Sequence, residues 1–109
     1  MIAFEKYLIE QGWLKHKYNL IKCCLEPTTD IELSTMSNID YRYVHPTDKS
    51  KVIVIGIHYS DCPPTLVSPT PTVKGKQDLT GYERLGLLEK YDFETIVNAM
   101  FDKSIILEL

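Results

Sequence analysis

Long apolar runs are missing from this chain: the longest, Val52 to Ile57, has six residues, against the roughly twenty that a bilayer-spanning helix needs. No transmembrane helix is expected. Near the N-terminus Glu5, Lys6 and Glu10 interrupt the apolar residues, so no secretory signal is expected either. Arginine is scarce, with only Arg42 and Arg84, and twelve basic residues face fifteen acidic ones for a formal net charge of −3. That balance argues against nucleic acid as a partner, because nonspecific binding needs a larger positive footprint. Cysteine is sparse too: of three, Cys23 and Cys24 are adjacent, a spacing that disfavours a mutual bridge. A reducing, cytoplasmic setting is the expectation.

What is present describes one ordinary globular unit. At 109 residues, with 44% hydrophobic and 25% charged residues, the chain falls in the size and composition range of a single folded domain, and residues 1–109 are read as one. Charge is unevenly spread. Residues 1–26 carry four Lys against three Glu, residues 27–76 are balanced, and residues 77–109 carry three basic against seven acidic groups. The basic patch and the acidic end could attract each other within one chain or between two, so a homo-oligomer is compatible with this pattern.

Ile2 to Gln11 places Phe4, Tyr7 and Leu8 at helical spacing, with Gly12 where a left-handed cap would stop the helix and Trp13 just beyond. Trp13 to Leu25 fits either a helical stripe or a strand, and the strand, with Leu14, His16, Tyr18 and Leu20 on its apolar face, is preferred. Pro27 to Asp30 reads as a turn and Ile31 with Leu33 as a short, weak strand. The strongest sheet signal is a hairpin: Ile39 to His45, the connection Pro46 to Ser50, and the β-branched run Lys51 to Tyr59. In that second strand Ile53, Ile55, Ile57 and Tyr59 share one face and Val52, Val54, Gly56 and His58 the other, which suits a central strand covered on both sides.

Four of six prolines, Pro63, Pro64, Pro69 and Pro71, fall between Asp61 and Asp78. That segment is expected to be an extended surface loop without regular structure. Thr80 and Glu83 have capping-box spacing, predicting a helix over Gly81 to Tyr91 with Leu85 and Leu88 inward. Asp92 can cap a second helix whose stripe is Phe93, Ile96, Val97, Met100 and Phe101, and Ser104 to Leu109 returns to a β pattern. The fold class is therefore α+β: a small antiparallel sheet with an N-terminal helix and two C-terminal helices packed on it.

Chemistry-bearing clusters are few. His58, Asp61 and Cys62 have residue types suited to thiol chemistry, with His58 or His45 as the base that a thiolate nucleophile needs. Their spacing is no recognised motif, and a buried or loop cysteine explains Cys62 as well. Paired Cys and His ligand spacings are lacking, so no metal is expected. Val73-Lys74-Gly75-Lys76-Gln77 fails as a phosphate loop, because Thr70 stands where the earlier Gly is needed and Gln77 where Ser or Thr is. Lys15, His16, Lys17, Tyr18 and Lys22 beside Trp13 interleave basic and aromatic groups as single-strand readers do, yet an acidic chain with so few arginines makes a basic outer face the better reading.

No cofactor and no catalytic residue is therefore assigned. The expected role is a noncatalytic, small protein-binding module that docks on, inhibits or assembles with a larger partner protein. Short acidic chains of this make-up are frequent among virus and mobile-element accessory proteins, such as inhibitors of host enzymes and minor virion components. The alternative is a small thiol-dependent hydrolase or transferase using Cys62 with His58 or His45. The expected partner-binding residues are Leu66 and Val67, as apolar anchors in the proline segment, with Tyr41 and Tyr43, because tyrosine couples apolar area to a hydrogen-bonding tip.

Overall fold

A computed structural model describes residues 2–19, 22, 24–28, 41–56 and 66–109. The chain is an α+β protein: a five-stranded antiparallel sheet, one helix at its N-terminal end and two toward its C-terminal end. The expected strand at Ile31 and Leu33 lies outside the described residues, as do Ile39, Ile57 and Tyr59.

Helix α1, Ile2–Glu10, ends as its sequence demands. Gly12 has φ of +89°, its N–H donates to Ile9 O, and Trp13 N–H donates to Leu8 O, both at 3.0 Å. This is a Schellman closure, in which a left-handed residue lets the chain turn back and satisfy the last helical carbonyls. The turn also brings Trp13 and Leu8 together into the core.

Strand β1, Leu14–Asn19, follows at once, and β2, Cys24–Pro27, pairs with it antiparallel. The strand reading holds for Leu14–Asn19, whereas Cys24 and Leu25, with Pro27 of the expected turn, belong to a second strand that pairs back on it, and the faces of β1 are inverted. Leu14 is 55% exposed whereas Lys15 is 8% exposed. The cause is register: Lys15 stands opposite Tyr43 on the core side of the sheet, and Glu5 of α1 is fully buried in the same interior. A buried cation and a buried carboxylate are tolerable only when each has partners, and both do.

The hairpin forms as its sequence predicts, from β3, Tyr41–Val44, and β4, Val52–Gly56. Strand order β2-β1-β3-β4-β5 puts β3 in the middle, so β4 is interior rather than central. Its alternation is plain: Ile53 and Ile55 are fully buried while Val52 and Val54 are half-buried.

The proline segment departs from expectation. In its described half, β5, Leu66–Ser68, pairs with β4, and β6, Thr72–Val73, pairs in parallel with β7, Ile106–Leu107. The Ser68–Pro69 peptide between these strands is cis. Val67, Pro71 and Val73 are buried. Three residues suffice for an edge strand when the neighbour offers free ladder groups, and such a short run carries no readable period.

Helix α2, Gly81–Lys90, has the full capping box. Glu83 N–H donates to Thr80 Oγ1 at 3.1 Å and Thr80 N–H to Glu83 Oε1 at 3.0 Å. Of its expected inward residues, Leu88 is buried together with Leu87, and Leu85 is half-buried. Helix α3, Phe93–Phe101, is capped by Asp92, whose carboxylate accepts from Thr95 N–H at 3.1 Å. Ile96, Ala99 and Met100 of α3, Phe4 and Leu8 of α1, Leu87 and Leu88 of α2, and Tyr43, Ile53, Ile55 and Val67 of the sheet share one hydrophobic core. Tyr91 pins the C-terminal end, its hydroxyl donating to Glu108 O at 3.0 Å and accepting from Glu108 N–H at 2.9 Å.

Two predictions follow from this packing. Replacing Ile55, which has no exposed surface, with Ala is expected to destabilise the fold by about 2–5 kcal/mol in chemical denaturation. A loss below about 0.5 kcal/mol, typical of surface positions, would contradict its place in the core. The second concerns acid. Hydrogen bonds hold four carboxyl groups below their ordinary values: Asp48 through Ser50, Glu83 through Lys76 and then the Thr80 backbone, Asp92 through Thr95, and Asp102 through Ser104. Groups with a lowered folded value stabilise above the unfolded carboxylate range and lose that contribution as pH falls through the folded value. Melting temperature should therefore fall as pH drops below about 4, and replacing Asp48 and Asp102 together with Asn should make that fall shallower.

Candidate functional site

A cleft of about 480 Å³ opens where α1 ends, the β3–β4 turn bends and α3 gives way to β7. Tyr7 and Gln11 from the last turns of α1 form one side, with Trp13 at its base. Val97, Asn98 and Phe101 on one side of α3 form the other, continued by Asp102 and Ile105 in the turn beyond. His45 and Lys51, the residues flanking the hairpin turn, close the third side.

Aromatic rings make its walls. Trp13 stacks on Phe101 with centroids 6.2 Å apart and a 22° interplanar angle, and meets His45 edge-on at 5.0 Å and 78°. Tyr7 packs against Phe93 at 5.5 Å, and Phe93 in turn meets Phe4 of the core at 5.3 Å. Offset and edge-on contacts at these separations are favourable geometries for aromatic pairs. The walls are thus continuous with the hydrophobic interior.

His45 has a fixed role. The backbone N–H groups of Thr47 and Asp48 both approach its Nδ1 at 3.1 Å. Backbone N–H groups only donate, so Nδ1 carries a lone pair and Nε2 carries the ring proton. The turn is further closed by Ser50, whose N–H and Oγ donate to Asp48 Oδ1 at 3.1 and 2.5 Å, and by Lys51 N–H to Asp48 O at 3.0 Å. On the opposite rim Asp102-Lys103-Ser104 repeats this arrangement. Ser104 N–H and Oγ donate to Asp102 Oδ1 at 3.0 and 2.6 Å, and Ile105 N–H to Asp102 O at 3.2 Å. Two turns of identical sequence therefore border the cleft. Lys103 Nζ adds a tie to Thr70 O at 2.7 Å.

Lys51 carries its ammonium 5.8 Å from the centre of the Phe101 ring, within the range of a cation–π contact. Burial, aided by Glu94 and Asp92, pushes the Tyr7 hydroxyl above its ordinary value, so it stays protonated at neutral pH.

The expected partner-binding residues lie elsewhere, and two are corrected. Tyr43 has no exposed surface, and its hydroxyl donates to Glu5 Oε2 at 2.6 Å. Val67 is 4% exposed, paired to Ile55 through β5 and packed near Leu87, Leu88, Ile96 and Met100. Neither presents a surface to a partner: both fall on the face of the sheet that the helices cover. Tyr41 and Leu66 belong to β3 and β5, with side chains outside the described set. His58, Asp61, Cys62 and Cys23 also lie outside the described residues. Cys24 is free and exposed.

The interleaved basic and aromatic patch does not form one surface. Lys15 and Trp13 turn inward, and Lys22 pairs with Glu26 at 3.1 Å. Lys74 and Gly75 form an exposed turn with φ of +75° at Gly75, held to α2 by Lys76 and Glu83 at 2.9 Å. Among the described residues no cluster of three metal-ligating side chains occurs, and no helix is long and apolar enough to cross a membrane. Compared with protein-family models, curated proteins and solved structures, the chain matches nothing.

Replacing Tyr43 with Phe tests the interior role. Without its donor the buried Glu5 carboxylate loses a charge-assisted hydrogen bond, so stability should drop by about 1–3 kcal/mol. An unchanged denaturation midpoint would show that the bond contributes nothing.

Proposed function

We propose that the chain is a noncatalytic protein-binding module that engages a larger partner through the cleft between α1, the β3–β4 turn and α3. The observation that carries this reading is the make-up of the cleft. Tyr7, Trp13 and Phe101 supply aromatic walls, and Gln11, His45, Lys51, Asn98 and Asp102 ring them with polar groups. Apolar centres with polar rims, enriched in aromatic side chains, are the composition of protein-binding surfaces. A volume of about 480 Å³ suits one or two side chains of a docked segment. His45 offers this cleft a hydrogen-bond donor, Nε2–H, because its Nδ1 lone pair already accepts two backbone N–H groups. Inhibiting the partner or assembling with it are both within this reading.

The experiment is site-directed photocrosslinking in extract of the native cell. Benzoylphenylalanine at Gln11 or Asn98, both exposed rim positions, should yield a discrete adduct with one larger protein. The same group at Glu89, exposed on α2 and outside the cleft, should not. Adducts from position 89 alone, or identical adducts from all three positions, would overturn the cleft as the docking point.

A further inference from the structure

Two of the polar groups lining the cleft, His45 and Lys51, are joined across the mouth of the β3–β4 turn by His45 N–H donating to Lys51 O at 3.0 Å. With Nδ1 of His45 held by the turn, Nε2–H is the only polar atom the ring has left to offer. Lys51 Nζ rests over the Phe101 ring; Asp48 in the adjoining turn is a carboxylate on which both Lys51 and His45 act, but its Oδ1 is taken up by Ser50 and among the described residues it forms no ion pair with Lys51. The rim carboxylate, Asp102, directs Oδ1 onto Ser104. Asp92 and Glu94 act on Tyr7, at the other side. An ammonium and a hydrogen-bond donor on two backbone-paired residues, Lys51 and His45, each against an aromatic ring, make a recognition element for an anion joined to a planar apolar group.

Resting on the protein-binding reading, we infer that the cleft receives a partner segment in which an aromatic residue is adjacent to an acidic one. The ring enters beside Trp13 and Phe101, and the neighbouring carboxylate meets Lys51 Nζ and His45 Nε2–H. Lys51 lies against the Phe101 ring that lines the cleft, so the acid and the ring of the segment sit close together. The segment is therefore taken as an Asp or Glu directly before or after a Phe, Tyr or Trp.

Trp13 is the only tryptophan in the chain and lines the cleft, so its fluorescence and its indole N–H resonance report occupancy directly. The probes are acetyl-Asp-Phe-amide and acetyl-Phe-Asp-amide, titrated into the full chain. The better of the two should saturate with a Kd on the order of millimolar, as a flexible fragment does. Its Asn counterpart should bind about two- to fivefold more weakly, the range expected of one accessible ion pair, and the Ala-for-Phe counterpart should leave the Trp13 signals unmoved. Lys51→Gln should erase the preference for Asp over Asn, and raising salt from about 50 to about 300 mM should shrink it.

Equal binding of the Asp and Asn peptides to the parent chain overturns the proposal without reliance on any variant. So does tighter binding of acetyl-Lys-Phe-amide, which would assign the site to a cation through Asp102. Phenylacetate binding as tightly as the peptides would make the occupant a small aromatic acid and not a protein segment. If the peptides fail while crosslinking from Gln11 and Asn98 still captures a partner, the cleft remains the docking point and only the acidic–aromatic chemistry falls.

Discussion

Helix α1 begins at residue 2 and packs on strands that come later in the chain, and what fixes its position there is a carboxylate with no access to water. Glu5 is fully buried, as is Tyr43, whose hydroxyl donates to it at 2.6 Å. An apolar helix face can slide along an apolar sheet at little cost, because hydrophobic burial has no direction. A buried carboxyl group resists sliding, since losing the Tyr43 donor costs a buried hydrogen bond. The bond between Glu5 and Tyr43 thus sets helix against sheet, and the apolar residues fill the space around it.

The cleft is a consequence of that placement. With α1 fixed on β3, the helix must end beside the far end of the hairpin, and Gly12 turns the chain there. A Cβ added at Gly12 would lie 3.8 Å from Pro46, which shows how closely the helix end and the hairpin turn approach. Trp13 is carried beneath that junction, between His45 and Phe101. Three chain reversals therefore meet at one place: the Schellman turn, the turn at Asp48 and the turn at Asp102. Each satisfies its own backbone groups internally, so the walls need no ligand to hold them.

Local signals in the sequence were sufficient for most elements. The stop at Gly12, the Thr80–Glu83 capping box, the Asp92 cap and the β-branched run from Val52 each act within a few residues, and each is realised. What escaped were properties decided by distant residues. Lys15 reads as solvent-facing until β1 is placed opposite Tyr43 of β3. Val67 reads as a loop residue until β4 offers it an edge. The cleft is harder still, because Tyr7, Trp13, His45, Lys51 and Phe101 come from separate stretches with no shared spacing. One signal does lie in the sequence: Asp48-Lys49-Ser50 and Asp102-Lys103-Ser104 are the same tripeptide, and they form matching turns that border the cleft.

Rigidity also bears on what the cleft can do. Docking loses free energy to every side chain that must be ordered on contact. Here the hydrogen-bonded turn holds His45, Phe101 and His45 flank Trp13, and Phe101 attracts the Lys51 ammonium before any partner arrives. The ordering cost on this side of an interface is consequently small, and the burden falls on the incoming segment. A short anchor of one ring and one charge then suffices to define position, because both of its contacts are already in place. Further affinity for such a segment would have to come from surface outside the cleft.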